Sequence, residues 1–259
     1  MDNGSVDFAI ISSNIIHDKL QTKDTDIDRN SKGYRFVLSL YPEVLNILVK
    51  DASEIKNIED IKGKILDVGS NNSTNSYVLD KILEVQNWSK QDFRGIEYIR
   101  NEDKIDTLCA GKVDATLIYA GTPNSLVNRI TQFCEARIIP IDEDLINQLS
   151  VLNSFINKKI IPEGTYLGNP MDINTFGTPV LIITTDDFDK LVVYNLVKII
   201  LQNIGTLSKL HPAFKVYPLE NLANNRGLIP YHEGSAILFR EKNLSLSKWL
   251  CSFKMIITM

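Results

Sequence analysis

Between Ile58 and Leu152 short apolar, β-branched runs alternate with segments of helical spacing, and no other feature constrains the fold as strongly. KILDVG at 64–69, GIEYIR at 95–100, DATLIYAG at 114–121 and ARIIPID at 136–142 read as strands. Helical spacing follows each of them: Tyr77, Leu79, Ile82 and Leu83; then 104–110, stopped by Gly111; then Leu126, Val127 and Ile130; then 143–152. Four βα units of this size predict an α/β fold with a mainly parallel sheet and helices on both faces. Outside this stretch, 6–11 reads as a strand, and 34–40 and 45–49 as two strands separated by Tyr41-Pro42-Glu43. A polar loop covers 24–32, a later strand 178–184 and an amphipathic helix 187–203.

Composition narrows the function classes. Of 259 residues 44% are hydrophobic and 23% charged, enough apolar surface to exclude disorder and a collagen-like fibre. The 28 basic and 32 acidic residues are interspersed and give a net charge of −4, without the basic field that nucleic acid requires. Cys109, Cys134 and Cys251 form no CxxC or Cys/His cluster, so the sequence carries no zinc signature and permits a single disulfide. No 18-residue apolar window exists, so no membrane-spanning helix is predicted. MDNGSVDFAIISS lacks the basic n-region of a secretory signal, which taken literally places the chain in the cytoplasm.

Strand-to-helix loops are where chemistry could sit. The first is Gly69-Ser70-Asn71-Asn72-Ser73-Thr74-Asn75. Backbone N–H groups, the helix dipole and the hydroxyls there suit a small anion such as a carboxylate, and the same residues suit a plain capping loop. The second, Tyr119-Ala120-Gly121-Thr122-Pro123, reads equally as a ligand-facing sheet edge or a tight turn before a helix. No Gly-Lys-Ser/Thr follows the first loop, and neither HxxxH nor GxSxG occurs. His17, His211 and His232 are widely separated and read as structural or solvated, and the acidic pairs 142–144 and 186–187 as helix caps. No catalytic constellation, metal site or cofactor motif emerges. Binding is favoured over turnover.

Seven strings in order carry a resemblance: VDFAIISSNIIHD, SLYPEVLNILVK, IEDIKGKILDVGSNNST, IDTLCAGKVDATLIYAGTPNSLV, IPEGTYLG, LVVYNLVKIILQN and IPYHEGSAILFREKNL. Over about 6–244 the chain resembles the TAXI family of solute-binding proteins, the extracytoplasmic receptors of certain TRAP transporters. That resemblance implies a two-lobed periplasmic-binding-protein fold of type II with a two-stranded hinge, and a ligand that is a small organic acid or amino acid, glutamate-like in some members. It also implies periplasmic localisation, TRAP transporter membrane subunits as partners, no cofactor and no catalysis.

Carried over by position, Ser12, Ser13 and Asn14 match a cleft-facing loop and Tyr41 the tyrosine of a Leu-Tyr-Pro segment. Ser73 matches the serine of a Gly-Ser-Gly-Thr loop, with Ser70, Asn72 and Thr74 around it. Gly121 and Pro123 match the family's Gly-x-Pro turn, with Tyr119 just before it, and Thr165 and Tyr166 match its Pro-x-Gly-Thr-Tyr loop. His232 and Gly234 match a segment read as structural. Both glycines of the Gly-Ser-Gly-Thr loop are replaced here, so any φ > 0 conformation at those positions becomes costly.

The family's signal peptide, first strand and Gly-rich loop have no counterpart before Met1, so the expected first lobe, 1–50 with 174–244, is incomplete at its N-terminus. The second lobe is expected at 51–173 and an unpatterned tail at 245–259. Other readings are a truncated or repurposed cytoplasmic ligand-sensing module, a non-functional remnant, or an enzyme recruiting Cys109 or His232.

Overall fold

The computed structural model describes residues 5–21, 33–71, 73–210, 212–214, 219–224 and 228–244. Asn72, His211, Cys251 and the segments 24–32 and 245–259 lie outside them. The chain begins with β1 (Ala9–Ser12), α1 (Ser13–Gln21) and β2 (Tyr34–Lys50). Next come β3 (Ile65–Asp67), α2 (Thr74–Gln86), β4 (Gly95–Glu97), α3 (Lys104–Cys109), β5 (Ala115–Gly121) and α4 (Ser125–Phe133). They are followed by β6 (Ala136–Ile138), α5 (Glu143–Leu152), β7 (Asn157–Ile161) and β8 (Ile173–Thr185). The last elements are α6 (Lys190–Gln202), α7 (Ile204–Leu210), α8 (Leu219–Leu222) and α9 (Glu233–Glu241).

Two compact units result, one of residues 1–41 with 179–259 and one of residues 42–178. The chain passes between them inside β2, at Tyr41–Pro42, and inside β8, at Thr178–Pro179. The two strands expected at 34–40 and 45–49 are therefore one. Pro42 is compatible with extended backbone and only lacks a ladder donor, so it does not end the strand.

In the second unit β3 pairs in parallel with both β4 and β5. β2 pairs antiparallel with β5, from Glu43↔Gly121 to Leu48↔Thr116, and with β6, from Leu48↔Ile138 to Lys50↔Ala136. Because β5 and β6 both oppose β2, they share a direction. The four βα strands thus run the same way, as their alternation implies. The expected mainly parallel sheet is nevertheless a mixed one, because β2 is inserted antiparallel among them and β7 joins β8 antiparallel. Val44, Leu48, Leu108, Val127, Ile130 and Ile161 form much of this unit's core. Gly177 in β8 has no room for a side chain: a Cβ would lie 2.3 Å from the Glu43 carbonyl oxygen.

The first unit pairs β1 antiparallel with β8, from Ala9↔Ile183 to Ser12↔Val180. Phe36, Val37 and Leu38 of β2, Leu181 of β8, Val193 and Val197 of α6 and Phe239 of α9 build its core. Gly234 lets α9 approach α6 closely, since a Cβ there would stand 2.3 Å from the Lys190 carbonyl oxygen. His232 caps α9 from a buried position. Its Nδ1 accepts from the Gly234 N–H at 3.2 Å, so its Nε2 donates to the Phe188 carbonyl at 3.1 Å. A single neutral tautomer satisfies both bonds, in keeping with the structural role expected for this segment.

Cys109 at the end of α3 is disulfide-bonded to Cys134 after α4. The bridge closes a loop across 25 residues of sequence, and its loss is expected to lower stability by about 2–4 kcal/mol. Urea unfolding of the oxidised protein and of a Cys109→Ser/Cys134→Ser variant measures the difference.

Burial lowers the His232 pKa below the ordinary histidine value, because the charged ring is desolvated. The unfolded chain then binds the proton more readily. The contribution of this group is complete above about pH 6.5 and is lost as pH falls from there toward the lower folded value. Stability is expected to fall on acidification below about pH 6.5, and His232→Asn should flatten that part of the pH profile while retaining most of the cap. Denaturant midpoints of both proteins at pH 5.5 and 7.5 test this.

Candidate functional site

In the second unit the carboxyl ends of β3 and β5 are held together by a buried carboxylate. Asp67, the last residue of β3, accepts from the backbone N–H groups of Gly69 at 2.8 Å and Ile99 at 3.2 Å. It also accepts from the Thr116 hydroxyl of β5 at 2.6 Å and from the Lys104 ammonium of α3. Asp67, Thr116 and Lys104 are all fully buried. Burial pushes the Lys104 pKa down, against the opposing pull of the Asp67 charge. Asp67 thereby fixes the loop after β3 to the loop after β4, and Lys104 neutralises its charge.

Gly69 takes the left-handed conformation (φ +71°), and a Cβ there would lie 2.8 Å from Asn75 Nδ2. The rest of this loop is a cap. The Ser73 hydroxyl accepts from the Ser76 N–H at 3.4 Å and donates to the Val68 carbonyl at 3.3 Å. The Ser70 carbonyl accepts from the Ser73 N–H at 3.2 Å and the Ser76 hydroxyl at 3.3 Å. Ser70 is exposed, and Thr74 is half-buried at the first position of α2. Of the two readings the sequence left open for this loop, the local geometry at Ser73 is that of a cap.

Asn75 links α2 to β5, its Oδ1 accepting from the Tyr119 N–H at 2.8 Å. Tyr119 is buried and donates its hydroxyl to Thr178 at 2.8 Å. Gly121 closes β5 opposite Glu43. A cavity of about 400 Å³ opens at this edge, with Asn75, Tyr119, Asn124 and Ser125 in its wall. Parallel strand ends of this kind are the usual place for ligands in α/β proteins.

Thr165 and Tyr166 stand behind this edge. The Thr165 hydroxyl donates to the Pro162 carbonyl at 2.7 Å. Tyr166 is buried, and its hydroxyl accepts from the Asn124 N–H at 2.8 Å, while the Asn124 side chain caps α4 through the Leu126 and Val127 N–H groups. Burial raises the Tyr166 pKa, which keeps the phenol neutral. Both residues are engaged in internal bonds, so their geometry is that of supports.

The first unit holds a different arrangement. Ser12 ends β1, Ser13 and Asn14 open α1, and the three are 7%, 0% and 1% exposed. Among the described residues, the hydroxyls of Ser12 and Ser13 and both polar side-chain atoms of Asn14 have no hydrogen-bond partner. At α2, α4, α6 and α9 the N-cap side chain accepts a backbone N–H. At α1 Ser12 stands in the cap position with its hydroxyl unbonded. Tyr41, in the same unit, is half-buried and packs edge-on against Phe214 with ring centroids 5.4 Å apart.

Asp67, Lys104 and Asn75 were missed in the sequence. Asp67 and Lys104 are 37 residues apart and read as ordinary charges at a strand end and a helix start. Asn75 is one of several amides in a polar loop. Removing the carboxylate with Asp67→Ala leaves Lys104 buried without a counter-charge, and the expected loss is about 3–5 kcal/mol. Thermal and urea unfolding of the variant check it, and a double Asp67→Ala/Lys104→Met variant should recover part of the loss.

The fold has known counterparts. The periplasmic sulfonate-binding protein SsuA from Methylobacillus flagellatus KT is 12% identical with a TM-score of 0.54, over 94% of this chain and 77% of that one. XAC2383 from Xanthomonas citri, solved with ATP bound, is also 12% identical, with a TM-score of 0.50 over 94% of this chain and 81% of that one. Likeness at this identity establishes the architecture alone: a mixed α/β fold of the periplasmic-binding-protein kind. The sequence profile of the NMT1-like family matches residues 1–242, nearly the whole chain, and the protein belongs to the NMT1-like family.

Proposed function

We propose that this protein is a solute receptor of the TAXI type, serving the membrane subunits of a TRAP-type secondary transporter outside the cytoplasm. Its ligand is a small organic acid or amino acid, bound without chemical change. Membership of the NMT1-like family and a fold shared with a periplasmic sulfonate-binding protein support a binding role. The seven ordered strings support the narrower TAXI reading. The Cys109–Cys134 disulfide supports an oxidising compartment.

The observation that carries the proposal is the set of buried, unpartnered polar side chains at Ser12, Ser13 and Asn14. Each such group left unsatisfied costs about 1–3 kcal/mol, so three in a row at a helix N-terminus are kept for a bond made to something else. Two hydroxyls and the positive end of α1 favour a carboxylate. The Asn14 amide can donate to the same ligand and accept from a second group on it.

Stability and affinity should move in opposite directions. Ser13→Ala and Asn14→Ala are expected to weaken binding of the responding ligand by about tenfold each, while the ligand-free protein unfolds at the same temperature or higher. Isothermal titration with a panel of small organic acids and amino acids, with melting curves of the free variants, measures both. A lower melting temperature in both variants, with no ligand found in the panel, would overturn the proposal.

A further inference from the structure

Asn14 is 1% exposed, and neither its Oδ1 nor its Nδ2 has a hydrogen-bond partner among the described residues. Two other buried asparagines are engaged. Asn169 uses both atoms, Oδ1 accepting from the Ile138 N–H at 3.0 Å and Nδ2 donating to the Leu167 carbonyl at 3.1 Å. Asn46 donates to the Val44 and Ile118 carbonyls, each at 3.1 Å. At Asn14 an acceptor and a donor are left open together, on one sp² carbon and in one plane.

Ser12 and Ser13, the preceding residues, supply the hydroxyls that suit a carboxylate, so the Asn14 amide is free to read the rest of the same ligand. What it accepts follows from pairing a donor with an acceptor at both positions. A second carboxylate accepts from Nδ2 but sets its other oxygen against Oδ1, while an ammonium donates to Oδ1 and opposes the N–H of Nδ2. A ketone answers Nδ2 alone. A primary carboxamide presents its carbonyl and a syn N–H on one edge, satisfies both atoms at once and buries no further charge. A secondary amide carries the same two groups but holds them trans, on opposite edges, and makes one bond at most.

We infer that the ligand of the Ser12–Asn14 site carries a primary carboxamide besides its carboxylate, paired edge to edge with the Asn14 side chain. The assignment rests on the receptor reading above and deepens it, since that reading leaves the ligand's second group open.

Isothermal titration of the purified protein with succinamate, succinate, 4-oxopentanoate and N-methylsuccinamate tests it, and glutaramate with glutarate extends the set by one methylene. At least one primary amide is expected to bind at least about tenfold more tightly than its counterparts. Asn14→Leu removes both open atoms at similar volume, so the preference should shrink to about threefold or less while the free variant melts at the wild-type temperature or above. Asn14→Asp exchanges the donor for a second acceptor and should weaken amide binding by about tenfold or more. Diacids that bind as tightly as the primary amides would overturn the assignment, as would N-methylsuccinamate matching succinamate or a preference that survives in Asn14→Leu. An Asn14→Leu protein that melts well below the wild type would also overturn it, by showing that the amide serves the packing of the free protein. A ligand from the wider panel whose binding is lost in Ser13→Ala but unchanged in Asn14→Leu overturns it and leaves the receptor reading intact. If neither primary amide binds, the assignment falls, and the wider panel decides the receptor reading separately.

Discussion

A polar group taken out of water must find a partner inside the protein, and the fold is organised around meeting that requirement. The Asp67 carboxylate shows how far the chain goes to meet it, with four donors drawn from the loops after β3 and β4, from β5 and from α3. His232 meets it with one tautomer serving two backbone groups. Thr175 of β8 meets it by donating to the Leu45 carbonyl of β2 at 2.6 Å. Because the bonds from Ile99, Thr116 and Lys104 to Asp67, from His232 to Phe188 and from Thr175 to Leu45 join segments distant in sequence, they also fix the packing of the elements that carry them.

The helices and strands between Ile58 and Leu152 were legible because each signals itself locally, through apolar spacing and through caps such as Ser73 and Asn124. Their common direction was legible too, since a βα crossover leaves little choice. The mixed sheet was not. β2 lies far from β5 and β6 in sequence, and nothing in YPEVLNILVK says which strands it will pair with. β7 escaped for another reason. Asn157–Ile161 places lysines at 158 and 159 and leaves Ile160 exposed, so its period-two signal is weak, and it becomes a strand by pairing with β8.

The candidate sites divide along the same line. Sequence similarity drew attention to Ser12, Ser13, Ser73, Thr165 and Tyr166 alike, because each sits in a polar loop at a strand or helix end. Partners separate them. Ser73, Thr165 and Tyr166 are bonded to the backbone of their own surroundings. Ser12 and Ser13 are buried too, and among the described residues their hydroxyls have no partner. A hydroxyl's role depends on whether a neighbour a long way along the chain has already taken its bond, and periodicity carries no information about that.

Isolated orphan atoms occur elsewhere, at Asn46 Oδ1 and Ser235 Oγ, but Asn46 still donates two bonds through its amide nitrogen. At 12–14 the orphans are consecutive and sit at the mouth of a helix. With each unsatisfied group costing about 1–3 kcal/mol, such a cluster is a large fraction of the roughly 5–15 kcal/mol that holds a domain folded. The unliganded state therefore carries a local penalty of a kind that Ser73, Asn124 and Asp189 relieve at α2, α4 and α6, while Asp103 and Asp142 at α3 and α5 make no such bond. A ligand that satisfies these groups lifts the penalty as it binds, so occupancy and stability are linked, and the stabilisation grows with free ligand above its dissociation constant. On the receptor reading proposed above, the polar cluster is stability withheld from the free protein and restored on binding.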